Sequence, residues 1–216
     1  MMRKNYKIFV SVLLFVGILF SFTGCANRAP KLEEIYDRVV ELVEASYELN
    51  DVFFGEGLPY YDRNLAVYES IYSDYTTEGY TKDYNVVSSN AKYRSVEEIK
   101  QAAEKVYSKA LLDSSVYPAM FEGLMQQNVS TGSTYLQARY IQDNNDLYIL
   151  MESEDDYHPT PLIYDYATMK IIRPSNASRV LISINACEES SPETILQMQL
   201  TLVKENNLWL LDKLTV

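Results

Sequence analysis

The residues able to do chemistry are few, and their spacing narrows them further. His158 is the only imidazole. Ser–His–Asp or Cys–His catalysis would therefore have to run through a side chain set among carboxylates and followed by Pro159 and Pro161. No Gly-x-Ser-x-Gly elbow is there to raise a serine nucleophile. Beyond residue 25 the one thiol is Cys187, in Ser183-Ile184-Asn185-Ala186-Cys187. With no Lys, Arg or His beside it to favour thiolate, it reads as a small buried residue at the end of a strand. One His and one free Cys do not make a structural zinc site. The acidic run Glu152, Glu154, Asp155 and Asp156, followed by His158, offers oxygen ligands to Ca²⁺. It lacks the spaced ligand loop with a Gly turn, and a solvated loop between strands is the competing reading. Gly55-Glu56-Gly57 has neither the third glycine, the Lys nor the preceding strand of a phosphate cradle, and reads as a helix terminator. No metal or other cofactor is implied.

What remains is carboxylate and phenol. Asp165 lies between Tyr164 and Tyr166, and Arg139 stands beside Tyr140. A buried carboxylate in a pocket between sheet and helices can have a raised pKa, which would allow acid–base work. The bland reading is a hydrogen-bonded or exposed strand residue. The chain has 19 Tyr against 7 Phe and 1 Trp. Tyr supplies rigid contact area and one hydroxyl at low entropic cost, suited to stacking on sugars or covering peptides. The doublet Tyr60-Tyr61 and the cluster Tyr157, Tyr164 and Tyr166 fall where loops are expected. The alternative is that Tyr replaces Phe at half-buried positions with wet edges. With 19 basic and 30 acidic side chains the net charge is −11, so no cationic surplus exists to displace phosphate counterions, which argues against nucleic acid.

The N-terminus bears on compartment. Arg3, Lys4 and Lys7 precede an uncharged apolar run over Ile8–Phe22, the two opening regions of an export signal. Phe22-Thr23-Gly24-Cys25 follows, and it resembles the lipobox of bacterial lipoproteins, with Phe22 where Leu is usual. The resemblance implies a signal peptide over 1–24, lipidation of Cys25, and attachment of the chain to the bilayer outside the cytoplasm. Two or more acyl chains at ~0.8 kcal/mol per buried CH₂ anchor stably. An uncleaved transmembrane anchor is the alternative, although the run over 8–24 only just reaches the ~17–25 residues of a span; ordinary secretion is another. Removing residues 1–24 takes away three basic residues and no acidic one, so the charge becomes −14. Cys187 is then the lone thiol, and no intrachain disulfide can form. Ala26-Asn27-Arg28-Ala29-Pro30 is a tether of at most ~18 Å when extended. The domain must work close to the membrane, where its negative charge should hold it off anionic headgroups.

These side chains must be positioned by the elements of residues 31–216, read as one α+β domain. From Lys31, apolar positions including Leu32, Ile35, Val39, Leu42 and Val43 recur at three- and four-residue spacing, which predicts a helix to about Asn50 or Phe54. Gly55 to Pro59 stops it. A weaker helical stretch carries Leu65, Tyr68, Ile71 and Tyr72, and a short extended piece spans 83–87. Ser95-Val96-Glu97-Glu98 is a capping box. The helical signal after it continues in pieces to Leu124, with Pro118 expected to force a break. After Gly132 the period changes to 2, with strand-like runs over 135–142, 147–152, 169–173, 179–187, 195–204 and 208–216. Leu196, Met198, Leu200 and Leu202 alternate with polar residues, as in a half-buried antiparallel strand; such a face would permit dimers that pair through their sheets. Asn144-Asn145 and Asn206-Asn207 sit where primed turns need positive φ.

Helices followed by long antiparallel strands resemble the cone-shaped nuclear transport factor two-like fold, cystatin-like in a broad sense. The strings Leu49-Asn50-Asp51-Val52-Phe53-Phe54-Gly55-Glu56-Gly57-Leu58-Pro59, Tyr93-Arg94-Ser95-Val96-Glu97-Glu98-Ile99-Lys100, Ala138-Arg139-Tyr140 and Asp146-Leu147-Tyr148 are also similar to those of small lipoproteins of Gram-positive bacteria. The helix start over Tyr93–Ile99 and the turn-and-strand over Asn145–Tyr148 resemble secreted inhibitors of cell-wall DL-endopeptidases. These resemblances imply helices packed on one face of a curved antiparallel sheet and carry no site residue across. The function expected is a non-catalytic binding role at the cell surface, with a protein or wall-glycan (peptidoglycan) ligand. Two alternatives stand beside it. One is an inhibitor of a cationic wall hydrolase, steered by charge; the other is a carboxylate–Tyr pocket enzyme or small-ligand binder.

Overall fold

The computed structural model describes residues 28–61, 84–127, 134–150 and 160–215. Cys25, Tyr157, His158, the acidic run over 152–156 and the helical stretch expected around 65–72 lie outside the described residues. Helix α1 spans Leu32–Phe54 and buries Ile35, Val39, Leu42 and Val43 of the stripe expected of it, with Ser46 and Leu49 continuing the buried face. At about 1.5–3 kcal/mol for each fully buried aliphatic side chain, that stripe outweighs the helix's intrinsic propensity. Its first turn is held by Glu34, whose carboxylate accepts the Lys31 N–H at 3.2 Å. Glu33 and Glu34 also lie at the positive end of the helix dipole.

Helix α2 covers Val96–Ala103. Ser95 Oγ accepts the Glu98 N–H at 3.1 Å, as the capping box requires. The Glu98 carboxylate takes the Arg94 N–H at 2.6 Å, so the reciprocal arm reaches one residue further out. A helical run over 109–122 begins as α3, Lys109–Leu111, and passes into two π-helical stretches, Leu112–Val116 and Pro118–Glu122. Pro118 therefore does not break the run, contrary to expectation. Around it the hydrogen bonds span five residues: Tyr117 N–H to Leu112 O and Gly123 N–H to Pro118 O. The widened turn relieves the clash between the ring and the carbonyl four residues back.

The described strands form three antiparallel sheets, where sequence reasoning expected one curved sheet. In chain order they are β1 Tyr84–Val86, β2 Leu124–Gln127, β3 Thr134–Gln137, β4 Tyr140–Asp143, β5 Asp146–Leu150, β6 Leu162–Ile172, β7 Arg179–Glu188, β8 Ser191–Glu205 and β9 Leu208–Leu211. Their orders are β1-β5-β4, β2-β3 and β6-β7-β8-β9. The run expected over 135–142 is split between β3 and β4 at Ala138 and Arg139, where the Arg139 N–H turns to Ala119 O while its carbonyl still accepts the Leu150 N–H. Tyr164 and Tyr166, expected in a loop, lie with Asp165 on β6. There the chain alternates Leu162 and Tyr164 inward with Ile163 and Asp165 outward. The register of β6 against β7 shifts between Asp165 and Lys170. Bulged irregularities of this kind bend a strand.

On β8, Leu200 and Leu202 are buried in the core while Gln197 and Gln199 face outward, but the alternation ends at Thr201, which is buried between the two leucines rather than exposed. The β8–β9 turn places both Asn206 and Asn207 at positive φ, 48° and 65°, as a primed turn needs; between β4 and β5 only Asn144 does so. Strand β9 stops at Leu211 rather than running on to the C-terminus, because the segment after Asp212 leaves the sheet and brings Thr215 against α1. The free edge of β9 is covered in parallel by Tyr107 and its neighbours. Ser108 N–H donates to Leu211 O at 2.7 Å, and Leu211 N–H to Val106 O at 2.8 Å. Cys187 is only half-buried. It pairs with Ile163 on the outer side of the β6–β7 ladder rather than being buried, because the inward positions on β7 belong to Ile184 and Ala186.

Candidate functional site

Tyr60 and Tyr61 form an exposed aromatic pair on a fixed backbone. Tyr60 bridges Val87, Tyr61 N–H donates to Val86 O at 2.9 Å, and Ser88 N–H donates to Pro59 O at 2.7 Å. The pair therefore extends the β1 edge as an extra half-strand instead of lying in a free loop. The two residues remain 41% and 42% exposed. Tyr61 Oη accepts the Ser89 N–H at 3.1 Å and lies 2.6 Å from Ser89 Oγ. Hydrogen bonds from the Ser89 and Ser88 hydroxyls and the Ser89 amide favour the phenolate and draw its pKa down to about 8.

Arg139 and Tyr140 do something else. Both are buried. Arg139 Nε donates to Val52 O at 3.1 Å and its guanidinium reaches Gly55 O; Tyr140 Oη donates to Val52 O at 2.8 Å and accepts the Leu58 N–H at 3.1 Å. The last turn of α1 contains no basic residue. Its terminal carbonyls, which carry the negative end of the helix dipole, are met by a cation from the start of β4 instead. Gly57, at φ 80°, passes so close that a Cβ there would lie 2.5 Å from Ile149 Cδ1 and 3.0 Å from Tyr140 Oη. Burial pushes the Tyr140 phenol up to about 12. This pair clamps the end of α1, and its polar groups are turned into the protein.

Tyr164 belongs to a third group. Under α1, Asn50 Nδ2 donates to Thr215 Oγ1 at 2.8 Å, Asn50 Oδ1 accepts Tyr107 Oη at 2.6 Å, and Ser46 Oγ lies 2.6 Å from Thr215 Oγ1. Tyr164 Oη donates to Thr215 O at 3.3 Å. All five residues are buried. Burial raises the Tyr107 and Tyr164 phenols to about 12. Tyr166 lies further along β6 and donates to Glu44 Oε1 of α1. Its phenol is raised by burial and by that bond. Asp165 is exposed, with its carboxylate accepting the Ala167 N–H at 3.1 Å. It lies on the outward side of β6, not in a pocket.

The sequence candidates thus divide into one exposed pair, Tyr60–Tyr61, two internal clamps and an outward carboxylate, rather than one site. Sequence reasoning missed the Asn50–Thr215–Tyr107 group. It also missed an open cavity of about 440 Å³ at the start of α1, lined by Arg28, Lys31, Lys204 and Trp209 among others. Among the described residues no three His, Cys, Asp or Glu side chains gather as for a metal ion, and no helix is long and apolar enough to cross a membrane. No known family model matches the chain, and no curated protein is similar enough to count as a relative.

Proposed function

We propose that the chain is an extracytoplasmic lipoprotein, anchored to the cell membrane through acylated Cys25, whose folded part is a non-catalytic binding module of the cone-shaped, nuclear transport factor two-like kind. The fold half of that reading rests on helices that precede a long antiparallel meander, with α1 laid across it and a bulged β6 at its edge. The binding half rests on one observation. Tyr60 and Tyr61 stand on an extended segment held by backbone hydrogen bonds, Tyr61 also by Ser89, and both residues remain exposed. A rigid exposed aromatic pair loses little entropy when a sugar or peptide covers it. The ligand class is a protein segment or wall glycan at the cell surface.

Two measurements test this. Full-length Cys25→Ser should remain at precursor mass and lose acyl label, and a variant that is still acylated would overturn the anchor. Tyr60→Ala with Tyr61→Ala should abolish co-sedimentation with isolated cell walls, or cross-linking to surface proteins, while far-UV dichroism stays unchanged. Turnover of a wall substrate by the purified protein would refute the non-catalytic role. Salt-sensitive capture of a basic wall hydrolase would shift the role to inhibition.

A further inference from the structure

The cavity at the start of α1 is chemically unlike the rest of this acidic chain. Its lining brings together Arg28 from the tether, Lys31 at the start of α1, Lys204 near the end of β8 and Trp209 on β9. Lys204 Nζ stands 5.7 Å from the centre of the Trp209 ring. Trp209 is held in place through its backbone, since Arg38 Nε donates to Trp209 O at 3.1 Å and Arg38 Nη2 to Lys105 O at 2.9 Å. The lining carboxylate, Glu34, is turned onto the Lys31 N–H. Three cationic residues and one carboxylate therefore line the cavity beside the only Trp of a chain whose net charge is −11. Leu208, one residue from Trp209, is 60% exposed at the tip of the β8–β9 turn.

Position gives this arrangement its meaning. Arg28 is three residues from Cys25, at most ~11 Å along an extended chain. Under the lipoprotein reading, on which this inference rests, the cavity is the part of the domain nearest the bilayer. An indole with an exposed Leu suits the headgroup boundary, and clustered Lys and Arg suit its anionic phosphates. We infer that the Arg28–Lys31–Lys204–Trp209 cavity is a cradle for the phosphate of an anionic phospholipid in the leaflet that holds the anchor. The overall negative charge, which alone would repel such a surface, is offset at this end by the local cations. The domain is then set in one orientation, with Trp209 and Leu208 toward the lipid.

The single Trp is a built-in reporter. The full-length chain is placed in vesicles of phosphatidylcholine alone, or with a minor fraction of phosphatidylglycerol, and Trp209 emission is recorded with energy transfer to a headgroup-attached dansyl group. Phosphatidylglycerol should shift the emission to the blue and raise the transfer. Each of Arg28→Gln, Lys31→Gln and Lys204→Gln should weaken the response roughly fivefold, the equivalent of ~1 kcal/mol per cation at an anionic surface. The same emission in both vesicles would overturn the inference. So would a triple variant that responds like the parent, or glycerol phosphate reproducing the change on neutral vesicles, which would identify a free phosphate ester as the ligand. Flotation and the mass of acylated Cys25 are scored separately. An anchored protein whose Trp209 ignores phosphatidylglycerol defeats only the cradle; a chain that is neither acylated nor floats defeats the anchor and the cradle with it.

Discussion

Asn50 Nδ2 donates to Thr215 Oγ1 at 2.8 Å across 165 positions of sequence, joining the last turns of the first described helix to the end of the chain. The bond is one of several that converge there. Tyr107 Oη fills the Asn50 carbonyl oxygen, Ser46 Oγ reaches the same Thr215 hydroxyl, and Tyr164 Oη reaches its backbone carbonyl. Three separate segments, around Tyr107, Tyr164 and Thr215, thus bring polar groups together under α1. A network this buried favours the fold only while each member is satisfied.

Thr215→Val keeps the shape and removes the hub. Asn50 Nδ2 would lose its Thr215 partner, at a cost of about 1–3 kcal/mol for a buried group left unsatisfied, while Ser46 Oγ keeps its bond to Val43 O. Urea denaturation should show that loss with an unchanged m-value. In a double-mutant cycle, adding Asn50→Leu should cost much less in the Thr215→Val background than in the parent. Strict additivity would mean that the two side chains are not coupled.

The clamp at the other end of α1 should be intolerant of conservative change. Arg139→Lys keeps the charge but cannot bridge Val52 O and Gly55 O from one planar fork, so a loss of about 1.5–3 kcal/mol is expected. Tyr140→Phe should cost about half as much, by losing the bonds to Val52 O and Leu58 N. Gly57→Ala meets both a positive φ and the Ile149 methyl, and should destabilise comparably. Thermal unfolding of the three variants orders them; Arg139→Lys matching the parent would remove the clamp.

Local rules carried much of the architecture. The Ile35, Val39, Leu42 and Val43 stripe, the Ser95 cap, the Leu196–Leu200 alternation and the Asn206-Asn207 turn each depend on neighbours a few positions away, and each occurs as expected. The departures share a cause that spacing does not encode. Arg139 interrupts a strand because carbonyls 84 and 87 positions earlier need donors. Pro118 stays helical because the turn around it widens. Tyr164 and Tyr166 alternate like any strand, but Pro159, Pro161 and the acidic residues before them suggest a loop. The Tyr60–Tyr61 pair was legible as a surface candidate because a polar stretch follows it. The cationic cavity was hidden because its charges come from the tether, a helix start and a hairpin, each unremarkable alone.

Alkaline pH should unfold the protein through its internal phenols. Burial raises the pKa of Tyr107, Tyr140 and Tyr164 from 10.0 to about 12 in the folded state. The native protein holds these protons more tightly than the unfolded chain does. Their stabilisation is therefore complete below pH 10 and is lost as pH rises from 10 to 12, at about 1.4 kcal/mol per phenol for each pH unit. Absorbance at the phenolate band, followed with dichroism, should show these Tyr ionising together with loss of structure. Tyr107→Phe should flatten the pH dependence of stability by one proton. Reversible ionisation of every Tyr near 10, with dichroism intact, would contradict the buried network.

Tyr61 should behave in the opposite sense. Its phenol oxygen accepts the Ser89 amide and lies 2.6 Å from Ser89 Oγ, and hydrogen bonding to Ser89 and Ser88 brings its pKa to about 8. In the same titration one Tyr should ionise ahead of the rest, reversibly and without change in dichroism. Tyr61→Phe should delete that step, and Ser89→Ala should move it back toward 10 by removing the leading hydrogen bond. If the Tyr60–Tyr61 pair binds its ligand through a neutral ring and hydroxyl, binding should fall as pH crosses 8 in the parent but not in Tyr61→Phe. Loss of the early step in Tyr60→Phe instead would place the lowered phenol on the other member of the pair.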